Sequence, residues 1–345
     1  VQRRVIDAVH DPQRYAGADM LPPAERLTAV SVVMPVLNER RHLREAVSRV
    51  LEQDLDGDLE LVLALGPSSD GTDEVAADLA AADSRIRLVR NPSGRTPSAL
   101  NAAVAASTHP VIARVDGHAV LPPGYLRTAL AVLEQTGADN VGGIMDAQGV
   151  TVVERAIAAA MRSRLGVGSA RFHTGGAAGP AETVYLGVFR RSALARVGGY
   201  DEHFARAQDW EMNHRIRSAG GTVWFTPELR VTYRPRPDLT SLAGQYFQYG
   251  RWRRVVSRRH AGTMSARYLA PPALVAGLAV SLAVSPWLPV ALVVPAGYVG
   301  ALVLGSLTLE RGLPLRSRAL LPAVLAVMHL SWGVGFVTSG VEGPA

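Results

Sequence analysis

The chain of 345 residues has no cysteine and no lysine; each of its 36 basic residues is an arginine. Without thiols, disulfide frameworks and thiolate metal sites are excluded. Without a side-chain amine, Schiff-base chemistry and a P-loop lysine are excluded as well. Charge is missing from one end of the chain. Residues 268–345 carry only Glu310, Arg311, Arg316, Arg318 and Glu342, while the first 267 residues hold the other 61 formal charges. A segment of 267 residues suits one large α/β unit with its own core.

The charge-poor end contains three apolar stretches, at 268–284, 288–309 and 319–338. Each is close to the ~20 residues that cross a bilayer, which predicts about three transmembrane helices. Six arginines between Arg251 and Arg267 precede the first stretch, and three more lie in the 310–318 turn after the second. By the positive-inside rule both places face the cytoplasm, which puts the N-terminal unit there too. The alternative is buried helices of a soluble protein, but such cores seldom string three uncharged runs together. No signal peptide is expected, since Arg3, Arg4 and Asp7 interrupt any apolar run at the N-terminus.

Residues 1–28 are polar, contain Pro12, Pro22 and Pro23, and read as an extension without chemistry. From residue 29, AVSVVMPVLNE has the β-branched core of a buried parallel strand, followed by a helix over 39–53. A second strand at 59–65 leads into the turn GPSSDGT and a helix to residue 82. The cycle repeats with a strand at 86–89, a helix over 98–106, and a strand at 111–115 that stops at Asp116. Strands alternating with helices imply a mainly parallel sheet with crossover helices. Ligands of such sheets bind beyond the carboxyl ends of the strands. That rule places residues 35–39, 66–70 and 116–118 around one crevice.

Two carboxylate groupings stand out. Asp116-Gly117-His118 has the spacing to hold a divalent cation whose other positions take phosphate oxygens, although Asp-Gly is also an ordinary turn. Asp209 and Glu211, in AQDWEMNHR, open a helix running to residue 219, where carboxylates are also favoured simply as first-turn or capping residues. The glycine-rich loop 166–180, with Arg171 and His173, reads either as a gate over a binding site or as a flexible surface loop.

In order and content these segments resemble the family 2 glycosyltransferases of the GT-A fold over about residues 29–260. The resemblance rests on VVMPVLNE, SSDGT, RVDGHAVLPPGYL, ETVYLGVFRRSALARVGGYDE, QDWEMNHRIRSAGG and QYFQYGRW. The branch they look most like is that of the succinoglycan-biosynthesis-type membrane glucosyltransferases. The resemblance implies an α/β GT-A domain at 29–238, an amphipathic interfacial region at 239–267 and a membrane domain at 268–345. It implies an inverting transferase that moves a sugar, such as glucose, from a nucleotide-diphosphate sugar to a lipid-linked, polyprenyl-diphosphate glycan. The partners implied are that donor, that acceptor and the membrane, with no nucleic acid.

By the same resemblance, Pro35, Asn38, Glu39, Ser69, Asp70, Arg95 and Asp116 line the donor site. Asp116 and His118 would hold Mg²⁺ or Mn²⁺, histidine standing where the family has an aspartate; manganese accepts nitrogen better than magnesium does. Asp209 matches the general base, with Glu211 beside it orienting the loop or binding acceptor hydroxyls. Gln248, Arg251 and Trp252 match a Q-x-x-R-W motif that builds the acceptor and diphosphate sites. A second reading has Tyr246, Phe247, Tyr249 and Trp252 anchoring an amphipathic helix in the bilayer surface. One departure concerns the base: the acidic residue usual after the second strand is replaced by Leu65 and Gly66, which leaves Asp70 as the remaining acidic candidate. The rival readings are direct transfer to polyprenyl phosphate, disfavoured by the long insertion between Gly143 and Thr183, and a non-catalytic sugar-nucleotide scaffold.

Overall fold

The computed structural model describes residues 27–309 and 312–340. Most of the expected N-terminal extension, and the tail after residue 340, lie outside the described residues. The first half alternates as expected: β1 (Val30–Val36), α1 (Leu43–Leu51), β2 (Leu59–Leu65), α2 (Thr72–Ala82), β3 (Ile86–Arg90), α3 (Thr96–Ala106), β4 (Val111–Arg114) and α4 (Tyr125–Thr136). Then follow β5 (Asn140–Ala147), α5 (Val152–Met161), α6 (Arg164–Val167), α7 (Arg171–Thr174), β6 (Gly179–Pro180), β7 (Tyr185–Arg190), α8 (Arg191–Val197), α9 (Gln208–Ser218) and β8 (Val223–Tyr233). The chain ends in α10 (Leu239–Arg259), α11 (Ala266–Val284), a 3₁₀ turn (Pro289–Leu292), α12 (Val293–Thr308) and α13 (Leu315–Thr338).

The eight strands form one sheet in the order β3-β2-β1-β4-β7-β5-β8-β6. The half from β3 to β4 is parallel; β7 then runs antiparallel to both of its neighbours, and β5 pairs with β8 in parallel. In β1 and β2 successive side chains face opposite covered cores, which is why both positions of the alternation are largely apolar. On β1, Val30, Val32, Met34 and Val36 face the core shared with α1 and α4, while Val33 faces the opposite core beside α3 and α9. Leu61 and Leu63 of β2 point one way, and Val62 and Ala64 the other.

Pairing between β1 and β4 runs only from Val30/Val111 to Val33/Arg114. Beyond that point the two strands part and open a crevice at their carboxyl ends. Pro35, which has no N–H to offer, sits just past the split, where no β4 partner asks for one. The first helix starts at Leu43 and not at residue 39, because residues 40–42 form a turn closed on the Glu39 carbonyl, which accepts from the N–H groups of His42 and Leu43. The insertion between Gly143 and Thr183 packs its α5 against α10 and α13: Ala156–Met161 share a core with Leu242, Tyr246, Leu321 and Met328. The α5 part of the insertion is therefore interior to the α10/α13 side.

Three C-terminal segments are long and apolar enough to cross a membrane: Ala266–Val284, Pro289–Thr308 and Leu315–Thr338. The third begins earlier than the apolar run suggested, so Arg316 and Arg318 lie in its first turn and not in a connecting loop.

Candidate active site

Three loops meet at the mouth of the crevice. In the first, Asn38 adopts a left-handed backbone (φ 56°), a conformation Asn tolerates better than most residues. Its N–H donates to Ser68 Oγ (3.0 Å), and its Oδ1 accepts from the Ser69 N–H (2.9 Å). Asp70 closes the same junction. Its Oδ1 accepts from the N–H and hydroxyl of Thr72, and its Oδ2 from the Arg40 N–H (3.2 Å). The Thr72 hydroxyl is the main reason its carboxyl is held below the usual aspartate range. Asn38, Ser69 and Asp70 thus lock the first and second loops together, with Asp70 turned toward its own loop. Arg95 stands exposed just before α3, on the adjoining loop.

The third loop follows β4. His118 Nδ1 donates to Glu39 Oε1 at 2.7 Å, and that bond holds the histidine's pKa above its ordinary value. Gly117 permits the approach, since a Cβ there would stand 3.0 Å from Glu39 Cγ. Histidines that bind metals commonly give their second ring N–H to a carboxylate. Here Glu39 fills that role and leaves Nε2 as the free ligand atom. Arg114 engages Oδ1 of Asp116 (3.0 Å), leaving Oδ2 for a cation. Among the described residues no cluster of three or more His, Cys, Asp or Glu could hold a metal unaided. Two protein ligands therefore fit only a cation whose remaining positions are filled by water and the oxygens of a bound diphosphate.

The central group of the site was not singled out from the sequence. Arg114, the last residue of β4, has a side chain only 8% exposed and pairs with Asp116 on one side and Asp209 on the other. Burial opposes its charge, but Asp116 and then Asp209 more than offset that, so the guanidinium stays protonated. A clue was present: a lone charge interrupts the otherwise apolar strand VIARV. Asp209 lies in the first turn of α9, yet it caps nothing; the residue before the helix is Ala207, in a left-handed conformation at φ 60° with no side-chain cap. Its side chain remains 42% exposed. Loss of water raises its pKa, Arg114 pulls it back, Asp116 pushes it up again, and the net position lies above an ordinary aspartate.

Of the two roles expected for Glu211, its surroundings suit that of orienting the loop. It is 1% exposed and holds Arg215 through two bonds of 2.7 Å, while His260 Nε2 lies 3.1 Å from Oε1. Arg215 in turn donates to the carbonyls of Val197 and Gly199. Glu211 therefore ties α9 to the turn after α8 and to the end of α10. Trp252 is also inside, 2% exposed, against Phe204 and beneath Ala205, Ala207 and Trp210. It supports the turn that carries Asp209 and does not line an open sugar site. Tyr246 is buried as well, so of the four aromatics read as a bilayer anchor only Tyr249, at 40%, is largely exposed. Gln248 and Arg251 are half-buried on α10, with the Arg251 guanidinium 5.8 Å from the Phe247 ring centre. Arg253 lies between the rings of Trp210 (4.1 Å) and Tyr268 (3.8 Å), joining the start of α9 to the start of α11.

The 166–180 segment is folded back on itself. Arg171 donates to the carbonyls of Ala177 and Pro180. Burial drives the His173 pKa down to about 3, so this side chain is neutral at ordinary pH.

Comparison with solved structures finds the same architecture in glycosyltransferases. The mannosyltransferase PcManGT from Pyrobaculum calidifontis, solved with GDP-Man and Mn²⁺, superposes with a TM-score of 0.59 at 19% identity, over 92% of this chain and 90% of that one. S. aureus TarS 1-349, solved with UDP-GlcNAc, gives 0.51 at 15% identity, over 90% and 91%. The fold is thus that of the GT-A glycosyltransferases. Residues 31–198 match the family description "Glycosyl transferase family 2". The succinoglycan biosynthesis protein ExoA of Rhizobium meliloti is 34% identical over 322 residues, covering 91% of this chain and 96% of that protein. The chain belongs to glycosyltransferase family 2.

Two expectations follow from this geometry. Replacing Glu211→Ala takes the carboxylate from the half-buried Arg215, which keeps its bonds to the Val197 and Gly199 carbonyls, and should cost about 1–3 kcal/mol of stability, read as a lowered unfolding midpoint in detergent. Arg114→Gln removes the one partner that lowers the Asp209 pKa. Since a base works only when ionised, the acid limb of the pH–rate profile for transfer should move to higher pH in this variant; an unmoved limb would show that Arg114 does not set it.

Proposed function

We propose that this chain is an inverting glycosyltransferase that takes a hexose from a nucleotide-diphosphate sugar and adds it to a lipid-linked glycan, in the assembly of an exopolysaccharide or cell-envelope glycan. The observation that carries the reading is the convergence of Asp116, from the end of a sheet strand, and Asp209, from a distant helix, on the single guanidinium of Arg114. It puts a diphosphate-side carboxylate and a base-side carboxylate on either side of one group. The name of the R. meliloti relative supports the exopolysaccharide context.

In this reading the acceptor hydroxyl oxygen attacks the anomeric carbon, the bond from that carbon to the donor diphosphate breaks, and the hydroxyl proton passes to Asp209. A raised carboxylate pKa suits that role, because the stronger base is the better proton acceptor as long as it stays ionised. Arg114 fixes the orientation of Asp209 and balances the negative charge of the pair. The loops joined through Asn38, Ser69 and Asp70 frame the donor, and Arg95 stands by as an exposed cation. Asp116 and His118 would hold Mg²⁺ or Mn²⁺, which when bound supplies charge to stabilise the departing diphosphate. The unit bearing the crevice faces the cytoplasm, where nucleotide sugars are made and the flanking arginines are favoured.

The direct test incubates the detergent-purified protein with extracted membrane lipids and a panel of UDP- and GDP-linked hexoses, with mass analysis of the lipid products. A lipid-linked glycan heavier by one hexose is expected. A hexosyl phosphate of the bare lipid would shift the acceptor to polyprenyl phosphate, and donor binding without turnover would make the chain a scaffold. Asp209→Asn should retain donor binding and lose transfer by about 10²- to 10⁴-fold; near-normal turnover removes Asp209 as the base. Because imidazole favours manganese, activity should be higher with Mn²⁺ than with Mg²⁺, and His118→Asp should narrow or reverse that preference.

A further inference from the structure

At about 1.5 Å per residue the 24 residues of α13 span roughly 36 Å, enough to cross a hydrocarbon core of about 30 Å. Its contacts follow a different course. Leu321, Val324 and Leu325, in its first half, share a core with α5 and with Met145 and Ala147 of β5. In its middle, His329 Nε2 donates to the Leu165 carbonyl (2.7 Å). Toward its end it runs beside α10 at backbone contact: a Cβ on Gly250 would stand 1.9 Å from the Trp332 carbonyl oxygen, and one on Gly335 would stand 2.1 Å from that of Phe247. The Arg254 guanidinium donates to the carbonyls of Phe336 (2.8 Å) and Val337 (2.7 Å), and Arg258 donates to that of Gly340.

The pairs 250/332, 254/336 and 258/340 advance together, four residues at a time. The two helices therefore run side by side in the same direction, and α13 touches the catalytic unit along its whole length. A spanning helix would carry one of its ends about 30 Å away from that unit. Here the last carbonyls of α13, which need donors from outside the helix, receive them from arginines of α10. A third of the most apolar stretch of α13 is buried, against 11% for each of the other two segments.

The α11–α12 pair behaves differently. Its base lies against α13, with Tyr268 stacked on Trp332 and Pro271 and Val275 flanking Gly333. Its turn leaves the rest of the molecule and shows bare apolar surface, with Trp287 at 83% and Val293 at 65% exposure.

We propose that α13 does not cross the bilayer. It lies with α10 along the headgroup layer as the membrane-facing floor of the catalytic unit, and only the α11–α12 hairpin enters the hydrocarbon. The outer face of α13, with Leu315, Ala319, Ala323, Val334 and Val337 exposed, rests on acyl chains, while the exposed Arg258 and Arg259 meet lipid phosphates. This revises the expectation of three spans and puts the end of α13 on the same side of the membrane as the crevice. Hydropathy alone suggests a span because it counts apolar residues without asking whether protein or lipid covers them.

The absence of cysteine makes the test clean. Single variants Asp78→Cys, on the exposed surface of α2, and Thr338→Cys, at the end of α13, are treated with a membrane-impermeant maleimide in sealed vesicles of each orientation. Labelling of both from the same side is expected; labelling of Thr338→Cys only from the side opposite Asp78→Cys overturns the proposal. Spin labels at Arg316, Ala323, Leu330 and Val337 in reconstituted vesicles give a second reading. Similar shallow depths along the series support the flat placement, and a deep maximum at Ala323 and Leu330 with shallow ends overturns it. Neither measurement depends on transfer activity, so the two readings fail separately.

Discussion

A buried guanidinium has to be paired, and in this protein that requirement organises the catalytic crevice. Arg114 lies at the end of a strand packed on both faces, where an uncompensated charge would be prohibitively costly. Two carboxylates answer it: Asp116 from the same strand end, and Asp209 from a helix almost a hundred residues later. The pairing ties the first turn of α9 to the end of β4. Burial and Arg114 act on Asp209 in opposite directions and leave it a carboxylate more basic than usual, beside a permanent cation.

The same logic continues behind the site. Glu211, two residues after Asp209, is fully enclosed and hands its charge to Arg215 and His260. Trp210, between them, stacks on His214 and receives Arg253, which also covers Tyr268. Consecutive residues of one helical turn thus serve different ends: Asp209 faces the crevice, Trp210 the membrane-proximal arginine, and Glu211 the interior. Movement of α10 or of the first turn of α11 would reach the catalytic carboxylate through these contacts.

Much of this was legible from residue patterns. The alternation of β-branched runs with helical stretches identified the strands through β4, since a two-faced buried strand must be apolar at every position. The break in charge at residue 268 marked the apolar end, because composition is averaged over the segment that lipid must solvate. The strand-end rule singled out Asp116 and the carboxylate pair Asp209/Glu211 stood out in its helix; the family resemblance added the roles expected of them. Arg114 escaped because a single arginine in a strand has many uses, and its use here depends on a partner distant in sequence. Trp252, read either as part of an acceptor site or as a bilayer anchor, is interior, and so is Glu211, as a residue that orients the loop can be, since a motif records residue identity and spacing but not which face of a helix is covered.

Local order, therefore, was determined by the sequence alone: which stretches are strands or helices, where charge is absent, and which loops end at the sheet's carboxyl edge. These depend on periodicity and solvation, which act over a few residues. The tertiary structure decided which carboxylates share a cation, which aromatics are packed away, and along which surface α13 lies. Those outcomes turn on charge pairing and close packing between segments far apart in the chain, where one ångström of approach, as at Gly250 and Gly335, separates contact from clash.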